Sequence, residues 1–570
     1  MPKLSESAKE IIQKRYLLEP ETEWEQCVRR VGSEIASGET ERKQYEEEFA
    51  EIIFNLDFLP AGRILRNAGR PRGSMFNCYV LPYGDSIKEI GEFNAKALEL
   101  WAEGGGVGCN VSFLRPKGSP IMGKGGHSSG PISFLTFSNA GANTIESGGQ
   151  RRAAALALML ASHPGIYDFM DAKLIENQLN AFNISVGVTE KFLEAVESNQ
   201  PWELVFNKKV HSVIKARDLW KKLLDNMINC AEPGIINWDK IRENNSYYFD
   251  PILSTNPCSE APMGAYGSCC LGSLNLQNFI KGQSYTNWEK LEHTITPAVR
   301  FLDNVIDVNK YSIHEIEQKA QEGRRIGLGV MGLAEYLFAK KIPYGSDKAV
   351  RETERLMRFI RDSVYTSLVK LADEKGAFPK FDSAAYSKAK FIRTLPASLR
   401  IDIKQFGTRC VTGMAIAPCG TISLIPEVQS GIEPLFLKAY KRKDRVSERV
   451  YLHPLYRQAL KENDGKTPDW FVDTSDISPK DHFEMQVAVQ RYVDGACSKT
   501  INLPKGTKVE TLNKLMLEYI YDLKGVTVYV DGTREGQILN PITEEEAMEY
   551  IDTASESADV VECATGGCEI

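Results

Sequence analysis

No stretch of the 570-residue chain is apolar over the roughly 18 residues that a helix needs to cross a bilayer. A helical membrane span is therefore not expected. Residues Met1 to Arg15 are mixed polar and lack the apolar centre of a signal peptide, so a cytoplasmic location is expected. Positive charge is also in deficit: the formal net charge of -7 argues against the broad electropositive face of a DNA or RNA binder. Cysteine is scarce, with 12 residues at irregular spacing, which excludes a disulfide scaffold and leaves single thiols available for chemistry. Internal repeats and low-complexity linkers are absent. No lysine or arginine follows Arg534, whereas Glu544, Glu545, Glu546, Glu549, Asp552, Glu556, Asp559 and Glu562 crowd the end.

A 42% hydrophobic and 25% charged composition fits a large globular enzyme with a buried core. The start reads as helical: Ser7 to Glu10 matches a capping box, and Glu41 to Leu56 alternates charged and apolar residues at helical spacing. From Leu59 to Pro541, short β-branched runs alternate with longer helical patterns, the mark of one α/β body. Strands are expected at Ile184–Val188, Thr412–Ile416 and Val526–Val530, and a helix at Asp347–Lys375. The expected domains are a helical region over 1–58, an α/β body over 59–541, and an acidic tail over 542–570 that is solvated and mobile beyond Tyr550.

Most lone cysteines are small buried hydrophobes, and Cys27, Cys230, Cys410 and Cys497 are read so. Two groups differ. Cys563 and Cys568 flank Gly566-Gly567 with little apolar sequence nearby to bury them; no histidine follows His482 to complete a metal site. A redox shuttle, a metal pair and an intermolecular link all remain open there, the shuttle being favoured. The second group is Asn256-Pro-Cys258-Ser-Glu260, followed by Ser268-Cys269-Cys270-Leu-Gly-Ser-Leu-Asn275. Pro257 fixes its own backbone and biases Asn256 to extended geometry, which places Cys258 on a loop with a carboxylate two residues on. By itself this is equally an ordinary loop. The run Gly104–Gly108 is read as close backbone packing, not as a nucleotide loop.

The segment Asn256 to Leu276 resembles the active-site loop of ribonucleotide reductases, in which Asn-x-Cys-x-Glu carries the radical cysteine. Further segments share the resemblance in chain order: Met75-Phe-Asn-Cys78-Tyr-Val-Leu-Pro-Tyr-Gly-Asp85-Ser86, Ala417-Pro-Cys-Gly-Thr421-Ile-Ser423, Ser430-Gly-Ile-Glu-Pro434 and the Cys563/Cys568 pair. Arg325-Ile-Gly-Leu-Gly-Val-Met-Gly332 is similar to a family helix. The resemblance implies a ten-stranded α/β barrel of two antiparallel half-barrels around a central finger loop. It implies Cys258 as the thiyl radical, Glu260 as general base on the ribose 3′-hydroxyl, Asn256 as its orienting partner, and Cys78 with Cys269 as the dithiol that reduces the sugar. Cys563 and Cys568 would recharge that pair and be recharged by a thioredoxin-like protein. Ala417, Pro418, Gly420, Thr421 and Ser423 would bind the substrate phosphates. Asp85, Ser86, Arg115 and Arg151 would bind deoxynucleoside triphosphate effectors, with Ser147 to Arg152 as the relay loop and a homodimer around it. No resident metal site is expected. Cys109, Cys270 and Cys419 are left structural. Cys419 stands where the family commonly has a hydroxyl, and Leu59-Pro-Ala-Gly62-Arg63 replaces a hydroxyl-bearing segment; Arg63 would compensate by charge.

The radical source is read from absences. There is no glycyl-radical segment of the Arg-Val-x-Gly-Tyr type, and Tyr529 stands without the neighbouring tyrosine of an oxygen-dependent relay. Val528 to Gln537 instead resembles the adenosylcobalamin-dependent class. The helical region over 1–58 is expected to lack the ATP cone and the body over 59–541 to be the catalytic domain, and the dimer-type effector signals favour ribonucleoside diphosphates as substrate. The rivals are an oxygen-dependent large subunit served by a second protein, and an inactive nucleotide-binding regulator, against which three spaced thiols argue.

Overall fold

The computed structural model describes residues 4–553, except 122, 124, 148–150, 176, 283, 444–447 and 532–538. Three helices come first, Glu6–Arg15, Trp24–Ile35 and Arg42–Phe54. The first is capped by Ser5, whose Oγ accepts from Ala8 N at 3.1 Å. The expected box at Ser7 is therefore displaced by two residues: Ser7 already lies inside the helix, and the extended residue before it takes the cap. Along Trp24–Ile35 the residues Trp24, Cys27, Val28, Val31 and Ile35 recur every three or four positions and are buried together. This helical layer packs on the long helix Trp288–Val308, with Phe49 edge-on to Phe301 at 5.3 Å. Each such fully buried ring contributes roughly 1.5–3 kcal/mol by leaving water.

The body is a closed barrel. Its first half consists of β1 (Cys78–Val80), β2 (Gly106–Asn110), β3 (Ala155–Leu160), β4 (Phe182–Val188) and β5 (Gly234–Asn237), each parallel to the next. Its second half contains β6 (Ser268–Asn275), β7 (Ile326–Met331), β8 (Thr500–Leu503) and β9 (Gly525–Val530), with β6 parallel to β7 and β8 parallel to β9. Residues 414–416 fill the gap between them, bridging Leu328 to Met414 and Ile416 to Cys497 in parallel register. The expected strand at 412–416 is thus present as single bridges, not as a full ladder. The halves meet antiparallel at two seams, β1 with β6 and β5 with β9. Five parallel strands per half, closed by two antiparallel seams, form the barrel that the family resemblance implies.

Strands buried on both faces read as continuous apolar runs, and this explains one wrong expectation. The resemblance makes Arg325–Gly332 a helix, yet Ile326–Met331 is β7 with every residue buried. Helix and buried strand look alike over six apolar residues; what decides is close approach. A Cβ on Gly327 would lie 2.9 Å from Ala415 Cβ, and one on Gly329 would lie 2.6 Å from Ala415 O, so the neighbouring segment packs directly on this backbone. The helix Asp347–Lys375 and the strands β4 and β9 occur where expected, the strands each starting slightly earlier.

Into this barrel runs a short hairpin of Ser254–Thr255 and Pro262–Met263, with residues 256–261 at its tip. The glycine run upstream makes room for it. A Cβ at Gly108 would sit 1.8 Å from Thr255 O, and one at Gly106 would sit 2.9 Å from Pro257 Cγ.

Candidate active site

The hairpin tip is tied off by its own side chain. Asn256 N donates to Ala261 O at 3.3 Å while Asn256 Oδ1 accepts from Ala261 N at 2.9 Å. Ser259 turns the corner at φ 65°, left-handed backbone that costs a non-glycine residue roughly 1 kcal/mol and is retained where surroundings dictate it. Asn183 Nδ2 of β4 donates to Pro257 O at 3.3 Å, and Ala496 N donates to Glu260 O at 2.7 Å. The tip is therefore gripped from both halves of the barrel. Cys258, between Pro257 and Ser259, is half-buried.

Cys78 and Cys269 face each other across the β1–β6 seam as direct antiparallel partners. Opposite Cβ atoms in such a pair lie roughly 4.5–5.5 Å apart, close to what a disulfide requires, so these two can close with little backbone movement. Both are buried, and none of the ten described cysteines is in a disulfide. A hydrogen bond with Cys78 and then burial push the Cys269 thiol well up, which keeps its proton on. A Cβ at Gly106 would lie 3.1 Å from Cys78 Sγ and 2.9 Å from Pro257 Cγ, so the seam thiol and the hairpin tip converge on one glycine.

Glu260 is 0% exposed, and neither carboxylate oxygen makes a hydrogen bond of good geometry; the Nδ2 of Asn256 is likewise buried without a partner. Burial pushes the Glu260 carboxyl up to about 7, partly offset by the nearby Asn256 side chain. Three polar atoms held ready in one lumen form a receptor for hydroxyl groups. A carboxyl with a raised value stabilises the fold only while protonated, so that contribution is complete below about pH 4.5 and is lost as pH rises through about 7. Glu260→Gln is accordingly expected to melt higher than the parent chain at pH 8, by roughly 3 kcal/mol, with the gap closing towards pH 5. Thermal melts at both values check this.

Residues 417–423 form a turn ending in a single 3₁₀ turn, Ile422–Leu424. Thr421 and Ser423 are buried, while Pro418 and Gly420 are half-exposed. The amide of Cys419 donates to Ser430 Oγ at 2.6 Å and that of Ser423 to Cys419 O at 2.8 Å. Cys419 Sγ lies 3.0 Å from Ser273 Oγ, on the same face of β6 as Cys269, and burial keeps this thiol protonated. The Glu260 charge is felt by both Cys269 and Cys419, so the three groups lie near one another. Arg63, offered as a substitute phosphate contact, donates Nη1 to Glu103 O at 2.5 Å.

Arg115 Nε and N each donate to the Asp85 carboxylate at 2.8 Å. Ser86 is the N-cap of the helix Ile87–Ala102, its Oγ accepting from Glu89 N at 3.2 Å. The strands Glu146–Ser147 and Arg151–Arg152 pair with Arg151 opposite Ser147, and this hairpin touches the helix that Ser86 caps. Asp85, Ser86 and Arg115 thus share one corner, and the strand pair that carries Arg151 lies against the helix leading away from it. Cys563 and Cys568 lie outside the described residues, as does most of Val528 to Gln537.

Asn183, Ala496 and Lys524 were not foreseen as site residues. A short segment, Asp494 to Cys497, supports the hairpin and offered only an Asp-Gly turn signal.

Residues 76–530 match the family model for the ribonucleotide reductase barrel domain, and residues 2–73 match that for the ribonucleotide reductase all-alpha domain. Over 609 residues the chain is 36% identical to a vitamin B12-dependent ribonucleoside-diphosphate reductase of Mycobacterium tuberculosis (strain CDC 1551 / Oshkosh), covering 100% of this chain and 84% of the relative. A protein of the same description from Thermoplasma acidophilum is 34% identical over 571 residues, covering 93% and 72%. A ribonucleoside-diphosphate reductase subunit alpha from Chlamydia trachomatis is 26% identical over 487 residues, covering 74% of this chain and 46% of the relative.

Proposed function

Because this chain belongs to the ribonucleotide reductase family, we propose that it converts ribonucleoside diphosphates to 2′-deoxyribonucleotides with adenosylcobalamin as cofactor. The observation that carries this reading is the convergence of the Cys78–Cys269 pair and the Asn256–Glu260 tip inside one barrel.

The residues divide the reaction between them. Cys258, as a thiyl radical, takes the 3′ hydrogen of the ribose. Glu260, poised near neutrality, accepts the 3′-hydroxyl proton, with Asn256 Nδ2 directed at the same sugar. Loss of the 2′-oxygen as water then needs a proton, and the remaining sugar needs two electrons. Cys78 and Cys269 supply both, since their strand register lets them close to a disulfide, and the hydrogen bond with Cys78 and then burial keep the proton on Cys269. Cys258 returns its hydrogen to C3′. The balance is ribonucleotide plus dithiol to deoxyribonucleotide, water and disulfide. Regenerating the dithiol by exchange is assigned to Cys563 and Cys568, and then to a thioredoxin-like protein. That cycle requires a reducing compartment, which supports a cytoplasmic location; among the described residues no helix is long and apolar enough to cross a membrane.

The substrate phosphates are assigned to Ala417, Pro418, Gly420, Thr421 and Ser423. Deoxynucleoside triphosphate effectors are assigned to Asp85, Ser86, Arg115 and Arg151 in a homodimer; there the Asp85 carboxylate would fix the Arg115 guanidinium for a triphosphate.

When bound, adenosylcobalamin would supply the unpaired electron from which the Cys258 thiyl radical is made. The barrel wall suits such a group. Strands β8 and β9 are covered on the outside by the helices Pro479–Gln490 and Ala216–Cys230, yet Thr527 is exposed and Thr500, Asn502 and Tyr529 are partly so. These four face the lumen by alternation with buried Ile501, Leu503, Val526 and Val528, and their polar groups would hold the cofactor. The deciding experiment is turnover of a ribonucleoside diphosphate by the purified chain with adenosylcobalamin and a dithiol. Deoxyribonucleotide should form without a second protein; an absolute need for one would favour the oxygen-dependent rival.

A further inference from the structure

The support beneath Glu260 contains a buried cation that the reaction itself does not use. Lys524, 3% exposed, precedes β9 and donates Nζ to the carbonyls of Asp494 and Gly495, both at 2.7 Å. Gln490 Nε2 adds a second donor to Gly495 O at 3.2 Å. The Asp494 carboxylate is occupied elsewhere. It accepts from Gly413 N at 2.7 Å, Met414 N at 2.8 Å, Gly495 N at 3.0 Å and Tyr365 OH at 2.5 Å. Lys524 is thus held by main-chain oxygens without a carboxylate oxygen among its recorded hydrogen bonds. Burial pulls its ammonium down to about 8, opposed mainly by Asp494 and Cys497.

A buried cation of this kind is costly, and an apolar side chain of similar size would fill the space more cheaply. Its expense is explained by what lies next in the chain. Ala496 N is the donor to Glu260 O, while Gly495 is sandwiched so closely that a Cβ there would meet Met414 O at 2.6 Å and Glu260 O at 3.0 Å. Two carbonyls drawn to one ammonium fix the peptide planes on either side of Gly495, the residue with most backbone freedom in the segment.

We propose that Lys524 is a positioning residue for the radical hairpin: by holding the carbonyls of Asp494 and Gly495, it presents the Ala496 amide to the Glu260 carbonyl and so sets where Glu260 and Cys258 stand against the sugar. The inference rests on the role assigned to Glu260 above. It extends that role to a residue that touches neither substrate nor hairpin.

The test compares Lys524→Met, Lys524→Arg and Glu260→Gln in the full chain with adenosylcobalamin, dithiol and a ribonucleoside diphosphate. Lys524→Met is expected to lower kcat on the order of 10²-fold, the scale of a misplacement near 1 Å, while KM stays unchanged. Lys524→Arg, which keeps a cation with several donors, should recover most of that loss. Should the methionine variant fail to fold, Lys524→Gln replaces it, retaining two donors without the charge. Parental kcat in Lys524→Met overturns the proposal, as does a joint fall of kcat, KM and Tm that arginine does not repair. Loss of activity in Glu260→Gln with parental Lys524→Met refutes this inference alone; full activity in Glu260→Gln refutes the underlying reading as well.

Discussion

Cys258→Ser is expected to leave no measurable turnover, a loss of roughly 10⁴-fold or more in kcat, while ribonucleotide binding persists. The two residues differ by one atom and similar volume, so the hairpin tip, tied by Asn256 to Ala261 and gripped by Asn183 and Ala496, has no reason to move. What changes is the bond to hydrogen. An S–H bond is close enough in strength to a ribose C–H bond for hydrogen to pass reversibly between them, whereas O–H is much stronger and an oxygen radical there would be prohibitively uphill. Equilibrium dialysis with the nucleotide and a product assay separate binding from chemistry. Residual turnover within a few-fold of the parent would remove Cys258 from the reaction and with it the thiyl mechanism.

Gly108→Ala should be the most damaging single methyl group in the barrel. The added carbon would fall 1.8 Å from Thr255 O and 3.3 Å from Asn256 Cα. Both obstructing atoms are backbone, so no rotamer change relieves the clash; the hairpin must retreat from β2. Overpacking of this kind costs about 1–3 kcal/mol, and a displaced tip costs on the order of 10²-fold in kcat. Gly38→Ala is the control, since nothing lies within 4 Å of a Cβ there. A lower Tm with a disproportionate fall in kcat is the expected pattern. Parental kcat in Gly108→Ala would mean that the hairpin need not lie where it does.

The elements legible in the sequence are those whose signal is local. The helix Asp347–Lys375 shows amphipathic spacing over eight turns and a Ser346 cap, and the β-branched runs of β4 and β9 stand between clear breaks. The glycines at 104–108 read as close packing because a lone glycine cluster marks that more often than a nucleotide loop, and the hairpin now accounts for Gly106 and Gly108. β7 departs from the helix that the resemblance implies, and its six apolar residues carry no period that would separate buried strand from buried helix. The thiols and the carboxyl of the site came from resemblance across several segments; Asn-Pro-Cys-Ser-Glu alone read equally as a plain loop. Its supports were not legible. Asn183 lies 74 residues from the proline carbonyl it holds, and the Ala496 amide is an ordinary backbone group that no side-chain pattern announces.

The antiparallel seam between β1 and β6 imposes a rule on how such a chain can vary. Because neighbouring residues on a strand point to opposite faces, a slip of one position would swing one sulfur out among the surrounding helices and leave the other without its mate. Loops around the barrel are free to lengthen, but a residue inserted within either strand would separate the proposed dithiol from its place beside the hairpin tip while leaving most of the fold standing. The seam is therefore a gauge of alignment for the whole cylinder, with two sulfur atoms as its marks.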